Sequence, residues 1–290
     1  MKDIIVIGGG PAGCSAAIYA KARGKKVLLF EKDKIGGLIA NVSKVSHYVS
    51  VEENVRGTDF AQKMAKQLES SGISVKYEEV IALEKTDDGF IVKSVNDEYR
   101  CKKVICATGS YLKKLNIDTR GATFNHWPLG NEESLRNKTV VINGGSDGAC
   151  KEALYMAKFA NKIHIVQDQD ELKCIDEFKR QIENSNNITV HASSTMKDVE
   201  VVNGKTISVS TNKETITDQD GIEVYVQIGQ DGNSNLIKDF VEIENTYAKS
   251  EVVSEVEGLF FAGDIRVKAV KQIATAVADG CIAGIEACKV

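Results

Sequence analysis

At 290 residues, with 42% hydrophobic and 27% charged residues, the chain has the composition of an ordinary soluble protein long enough for two domains. Its net charge of −4, with lysines scattered along the chain, argues against a nucleic-acid partner, and no apolar run approaches the roughly 18 residues that a membrane span needs. The opening MKDIIVIGGG enters a strand at once and leaves no room for a signal peptide, so a cytoplasmic protein is expected.

The first element in chain order is a βαβ unit. DIIVIGGGPAGCSAAIYAKARGKKVLLFEK reads as an apolar strand, a tight glycine turn, a helix and a second strand ending in Glu31. Gly8, Gly10 and Gly13 form GxGxxG, with Pro11 and Ala12 between the last two. The first glycine makes the turn, the second lets backbone approach a pyrophosphate, and the third lets helix pack on strand. The phosphates belong at the helix N-terminus, where free amides and the helix dipole favour negative charge, and Glu31 is placed to accept ribose hydroxyls. Cys14 follows in the first helix. A helix N-terminus lowers a thiol pKa, so Cys14 is a candidate nucleophile toward a mixed disulfide, against the plainer reading of a small packing residue.

Further on, VICATGS reads as a strand closing on the small-residue turn Ala107, Thr108 and Gly109. A second strand, turn, helix and strand follow in KTVVINGGSDGACKEALYMAKFANKIHIVQDQD, with a damaged pattern. Gly144, Ser146 and Ala149 stand at the three small positions, and the Ser146 side chain lies where a pyrophosphate needs bare backbone. The strand ends in Gln167, Asp168, Gln169 and Asp170, with no arginine for a 2′-phosphate. An acidic end is compatible with NADH and disfavours NADPH. Near the C-terminus, GLFFAGDIRVKAVKQIATAVADG carries Gly263 and Asp264, then Lys271, Gln272 and Ile273 at the start of a helix.

The seven cysteines, Cys14, Cys101, Cys106, Cys150, Cys174, Cys281 and Cys288, are odd in number and irregularly spaced, which argues against a disulfide framework or a metal site. Cys101 and Cys106 are expected on opposite faces of a strand. Cys281 and Cys288 share a helical face but lie on the order of 10 Å apart along it, beyond disulfide reach. Cys150 and Cys174 read as packing residues. There is no CxxC, so disulfide chemistry needs a single cysteine or two that the fold brings together.

GGGPAG, ATG, VYVQIGQDGNSNLIKD and GLFFAGD...KQIATAVADG occur in the order and spacing of the low-molecular-weight thioredoxin reductases, which the chain resembles over nearly its whole length. The resemblance implies an α/β protein of two nested doubly wound, Rossmann-like domains. These are a FAD domain, residues 1–114 and 246–290, and an inserted pyridine-nucleotide-type domain, residues 115–245, which is expected to be degenerate. It implies FAD as cofactor and a homodimer through the FAD domain. Asp264 would bond the flavin ribityl chain, and the helix opened by Lys271, Gln272 and Ile273 would face the flavin N1/C2=O edge and favour the reduced form. GGLIANVSKVSHYVSV, with Gly36 and Gly37 at its start, matches a glycine-led loop of the family without gaps, but Leu38 stands at a glutamine position and His47 at a flavin-facing asparagine position, where an imidazole could donate to the flavin or relay a proton.

The family's redox cysteines fall on Trp127 and Gly130 of WPLG, and its NADPH arginine motif on Gln167 to Gln169. Trp127 is therefore expected to take the place of the dithiol, packing its indole over or beside the isoalloxazine in the domain arrangement that brings this segment to the flavin, with sealing of a domain interface as the competing reading. The expected function is electron transfer between flavin and a protein such as ferredoxin or flavodoxin, without a CxxC relay. The alternatives are an NADH-dependent reductase acting on a small acceptor or, through Cys14, on a mixed disulfide, and a non-catalytic redox-sensing flavoprotein. A thioredoxin-like partner fits the mixed-disulfide reading.

Overall fold

Runs of branched and aromatic residues with little polar alternation fold here as parallel strands buried on both faces. The computed structural model describes residues 1–52 and 54–289 and divides them into two units, Met1–Tyr111 with Asp231–Val290, and Leu112–Gln230. In chain order the first unit supplies β1 (Lys2–Ile7), α1 (Pro11–Ala22), β2 (Val27–Glu31), a 3-10 turn (Gly37–Asn41), α2 (Gly57–Ser70), β3 (Ser74–Tyr77), β4 (Val80–Thr86), β5 (Gly89–Ser94), β6 (Glu98–Cys106) and β7 (Ser110–Leu112). The second contains β8 (Phe124–Asn125), α3 (Glu132–Leu135), β9 (Thr139–Asn143), α4 (Asp147–Met156), β10 (Lys162–Val166), α5 (Asp176–Glu183), β11 (Ile188–His191), β12 (Met196–Val202), β13 (Lys205–Thr211), β14 (Thr215–Thr217) and β15 (Ile222–Val226). The chain returns through β16 (Gln230–Gly232), β17 (Ile243–Glu244), β18 (Tyr247–Ala248), β19 (Leu259–Phe261) and α6 (Ile273–Glu286).

In unit 1 the sheet runs β3-β2-β1-β6-β5-β4, with β19 also paired to β6. One stretch of β6, Glu98–Cys101, pairs antiparallel with β5, while Val104–Cys106 pairs parallel with β19. The winding reverses between β1, which leads through α1 to β2, and β6 on its other side. A crevice at the carboxyl ends of such strands is where doubly wound folds bind ligands. Helix α1 is rich in alanine and packs closely on α6: a Cβ at Gly280 would run into the Ala12 carbonyl, and one at Gly284 into that of Ala16. Cys101 and Cys106, expected on opposite faces, both join the core cluster that contains Phe90 and Phe261, because Cys101 stands opposite Phe90 in the β5–β6 ladder.

Unit 2 has a parallel sheet in the order β11-β10-β9-β15-β8 and a separate antiparallel meander, β12-β13-β14. The second chain crossing lies at Gln230 and Asp231, whereas the sequence suggested a boundary near residue 245. The reason is local. Thr108 Oγ1 donates to the Asn233 carbonyl at 2.9 Å, Asn233 N–H donates to the Gly109 carbonyl at 3.0 Å, and Ile237 is buried in a core cluster of unit 1. No helix among the described residues is long and apolar enough to cross a membrane.

His164, buried on β10, lies with its Nδ1 2.8 Å from His191 Nε2, and His191 Nδ1 is 2.6 Å from Glu214 Oε1. Burial, with help from the charges of His191 and Lys162 and against that of Glu214, pushes His164 from its ordinary 6.5 down to about 4. Between those values the unfolded chain holds the extra proton, so this contribution to stability is complete above pH 6.5 and is lost as pH falls toward 4. The urea midpoint of the wild type should therefore fall more steeply on acidification through this range than that of His164→Asn. Equal slopes would show that the folded imidazole is already protonated.

Candidate functional site

The carboxyl ends of β1, β2, β6 and β19 converge on one crevice of unit 1. Gly8, at φ +106°, ends β1, and a Cβ there would strike the Ala107 carbonyl at the end of β6. The absence of a Cβ at Gly13 lets α1 lie on the Gly8 carbonyl. Glu31, buried at the end of β2, holds the turn through both carboxylate oxygens: Oε2 accepts the Gly9 N–H at 2.7 Å and Oε1 the Asp33 N–H at 2.9 Å. At Gly10 an added Cβ would meet nothing within 4 Å, and Gly10 is the N-cap of α1, with no side chain capping it and Pro11 following. Gly36 N–H donates to the Gly9 carbonyl at 2.9 Å, and a Cβ at Gly37 would stand 3.7 Å from Gly10 Cα, so the loop carrying half-buried Leu38 lies against the glycine turn.

The end of β19 is held by charges that sequence reasoning missed. Asp279, buried within α6, accepts the Gly263 N–H at 3.0 Å and takes Arg266 at 3.0 Å and Lys268 at 3.2 Å. An acidic residue inside the apolar helix ATAVADGCIAG was the signal available. Asp264 Oδ1 is buried and accepts no hydrogen bond, although Lys268 Nζ stands 3.4 Å away. Burial raises the Asp264 carboxyl against the pull of Lys268 and Lys271. Lys271 Nζ lies 2.8 Å from the centroid of the Tyr247 ring, and burial pushes its ammonium down to about 8. Gln272 is the N-cap of α6, its N–H donating to Thr275 Oγ1 at 3.1 Å, and Ile273 is the first helical residue.

The fold treats the remaining candidates differently. Cys14 does not behave as a helix N-terminus alone would make it. Its thiol is buried and donates to the Gly9 carbonyl at 3.2 Å, and burial, together with the Glu31 charge, pushes it up to about 12. His47 is exposed in a left-handed conformation, φ +58°. Trp127 is half-buried in unit 2, its carbonyl accepting Asn131 Nδ2 at 3.2 Å.

The second glycine turn keeps the shape of the first. Gly144 has φ +130°, and a Cβ there would strike the Gln227 carbonyl, as one at Gly8 would strike that of Ala107. Gln167, buried at the end of β10, stands where Glu31 stands in unit 1, but it turns its Nε2 to the Gln169 carbonyl at 3.1 Å and to that of Glu171. Ser146 fills the place of Gly10, with its side chain exposed at the start of α4. Asp168 is exposed.

The family model for pyridine nucleotide-disulphide oxidoreductases matches residues 2–280. The chain belongs to that family. It is 30% identical to a thioredoxin reductase of Peptoclostridium litorale, over 98% of this chain and 95% of that one, and 29% identical to the thioredoxin reductase of Bacillus subtilis (strain 168), over 97% and 92%. The crystal structure of Lactococcus lactis thioredoxin reductase superposes with a TM-score of 0.93 at 27% identity, covering 99% of this chain and 98% of that one. The family read from the ordered motifs is the one found, and the protein is a FAD-dependent oxidoreductase of the thioredoxin reductase fold.

The residues of the oxidoreductase's crevice fit FAD. A turn with clear space in front of Gly10, at an uncapped helix N-terminus, suits a pyrophosphate. Each Glu31 oxygen retains a lone pair for a ribose hydroxyl after binding its backbone amide. The unsatisfied Asp264 Oδ1 calls for a donor, which a ribityl hydroxyl would supply. Purified protein should accordingly be yellow and release FAD on denaturation, and Gly10→Val, which puts a branched side chain into the clear space, should yield colourless protein. Release of FMN alone would show that the adenosine half is not what the turn and Glu31 recognise.

Proposed function

We propose that this oxidoreductase passes electrons directly between FAD and a protein redox partner such as ferredoxin or flavodoxin, without a cysteine-pair relay. FAD supplies the electron-carrying centre. In this reading Gly8, Gly10, Pro11, Ala12, Gly13 and Glu31 receive the pyrophosphate and adenosine, Asp264 the ribityl chain, and Gly37, Leu38, His47, Ala107, Thr108, Gly109, Gly263, Lys271, Gln272 and Ile273 surround the rest. The carrying observation is WPLG, with Trp127 and Gly130 at the positions where the family resemblance places the redox cysteines. Cys14 supports the same reading, since a buried thiol raised to about 12 presents almost no thiolate to attack a disulfide.

NADPH is disfavoured as donor. The Ser146 side chain crowds the position of bare backbone, and exposed Asp168 would repel a 2′-phosphate where the family has arginine. Exchanging attraction for repulsion at one charge-assisted contact is worth about a hundredfold in affinity. The intact turn at Gly144 favours a second reading, with NADH as donor and Asp168 on its ribose.

An anaerobic titration that follows flavin absorbance separates these readings. Reduced ferredoxin or flavodoxin should bleach the flavin rapidly, and NADPH slowly and without saturation. Fast saturable bleaching by micromolar NADPH would refute the proposal, and the same behaviour with NADH alone would establish the second reading. Trp127→Ala should change the flavin spectrum or its rate of reduction by the protein donor. If both stay as in the wild type while thermal stability drops, the indole is a packing residue.

A further inference from the structure

Unit 2 contains a cysteine pair that is invisible in the spacing of the sequence. Cys150 lies on α4, and Cys174 lies in the connection from β10 to α5. The backbone on both sides of Cys174 is clamped to the start of α4. Lys173 N–H donates to the Gly145 carbonyl at 2.9 Å and Lys173 forms a parallel bridge with Ser146, while Ile175 N–H donates to Asp147 Oδ1 at 2.8 Å. Cys150 follows Asp147 at i+3, on the same face of the helix. Cys150 lies in the core cluster around Ala149 and Leu172, and Cys174 packs against the same cluster. The Cys150 S–H donates to the Gly145 carbonyl at 3.6 Å. Access differs between them: Cys150 is buried and Cys174 half-buried.

We propose that Cys150 and Cys174 form a dithiol site which small-molecule disulfides oxidise to an intramolecular disulfide, fastening the segment after β10 to α4 beside the second glycine turn. In the first step the Cys174 thiolate attacks a disulfide RSSR. A Cys174–SR bond forms, and one RS⁻ leaves and takes up the proton that Cys174 gave up. In the second step the Cys150 thiolate attacks Cys174 Sγ and expels the second RS⁻, which takes the proton from Cys150. Two protein thiols are oxidised and one RSSR is reduced to two RSH. Cys174 is the first attacker because it is the accessible sulfur, whereas Cys150 is buried. Burial raises both thiols, Asp147 raises both and Asp176 raises Cys174, while Lys179 lowers both, so the exchange quickens as pH rises. The crosslink would hold Ser146 and Asp147 in place, and the thiol redox state would set the freedom of the turn they open.

The test uses the full FAD-loaded chain, incubated anaerobically with bis(2-hydroxyethyl) disulfide, quenched with iodoacetamide and digested with trypsin. The expected product is residues 139–151 joined to residues 174–179, lighter than the sum of the two peptides by two hydrogens and separated again by dithiothreitol. Cys150→Ser should instead retain a hydroxyethylthio adduct on Cys174, and Cys174→Ser should leave Cys150 reduced. Alkylation of both cysteines in the treated wild type would overturn the proposal. So would a lasting adduct on wild-type Cys174 equal to that in Cys150→Ser, because Cys150 would then resolve nothing.

Discussion

Close approach of backbone to backbone at glycine sets the position of everything in the FAD crevice. Gly8 and Gly13 bring the ends of β1 and β6 and the start of α1 into direct contact, and Gly280 and Gly284 bring α6 against the other side of α1. A side chain at any of these positions would move a helix away from the crevice, and core packing at this density yields little space without cost. The consequence at the site is geometric. With α1 held between the sheet and α6, its free N-terminus, the Glu31 carboxylate and the Gly263–Asp264 turn all face the same space.

The two glycine turns separate shape from function. Both keep a left-handed glycine against a neighbouring carbonyl, at Gly8 with Ala107 and at Gly144 with Gln227. They differ in what is presented to a ligand. Unit 1 offers clear space at Gly10 and a carboxylate at Glu31. Unit 2 offers the Ser146 hydroxymethyl group and a neutral amide, Gln167, whose NH₂ is turned back to nearby carbonyls. Backbone packing inside the unit preserves the first property, whereas the second depends only on side chains at the surface of the turn. A turn can therefore survive as structure while its ligand contacts change.

Buried charge does related work at the end of β19. Asp279 holds the Gly263 amide and meets both Arg266 and Lys268, which offsets the cost of burying its carboxylate and engages the nearby cations. Asp264 is left with one buried oxygen lacking a protein hydrogen bond, an arrangement that suits a polar ligand. The cysteines show the opposite effect of burial: Cys14, Cys101 and Cys106 are pushed up to about 12, about 12 and about 11, which keeps them as thiols. Position near a helix terminus alone was a poor guide to Cys14, because desolvation outweighs the dipole.

Strand, turn and helix at both glycine motifs, the apolar strands and the small-residue turn at Ala107 were legible in the sequence, because each is a local pattern whose physics acts over a short stretch of chain. So was the family, through motifs that keep their order. The sequence also showed by itself that CxxC is absent and that Ser146 departs from the first turn. Tertiary structure alone decided which of these meet: the Asp279 charges at Gly263, Lys271 against Tyr247, the early return of the chain at Asn233, the direction of the Cys14 shift, and the pairing of Cys150 with Cys174. These depend on contacts between residues far apart in the chain and on the loss of water around them, and neither quantity is written in local spacing.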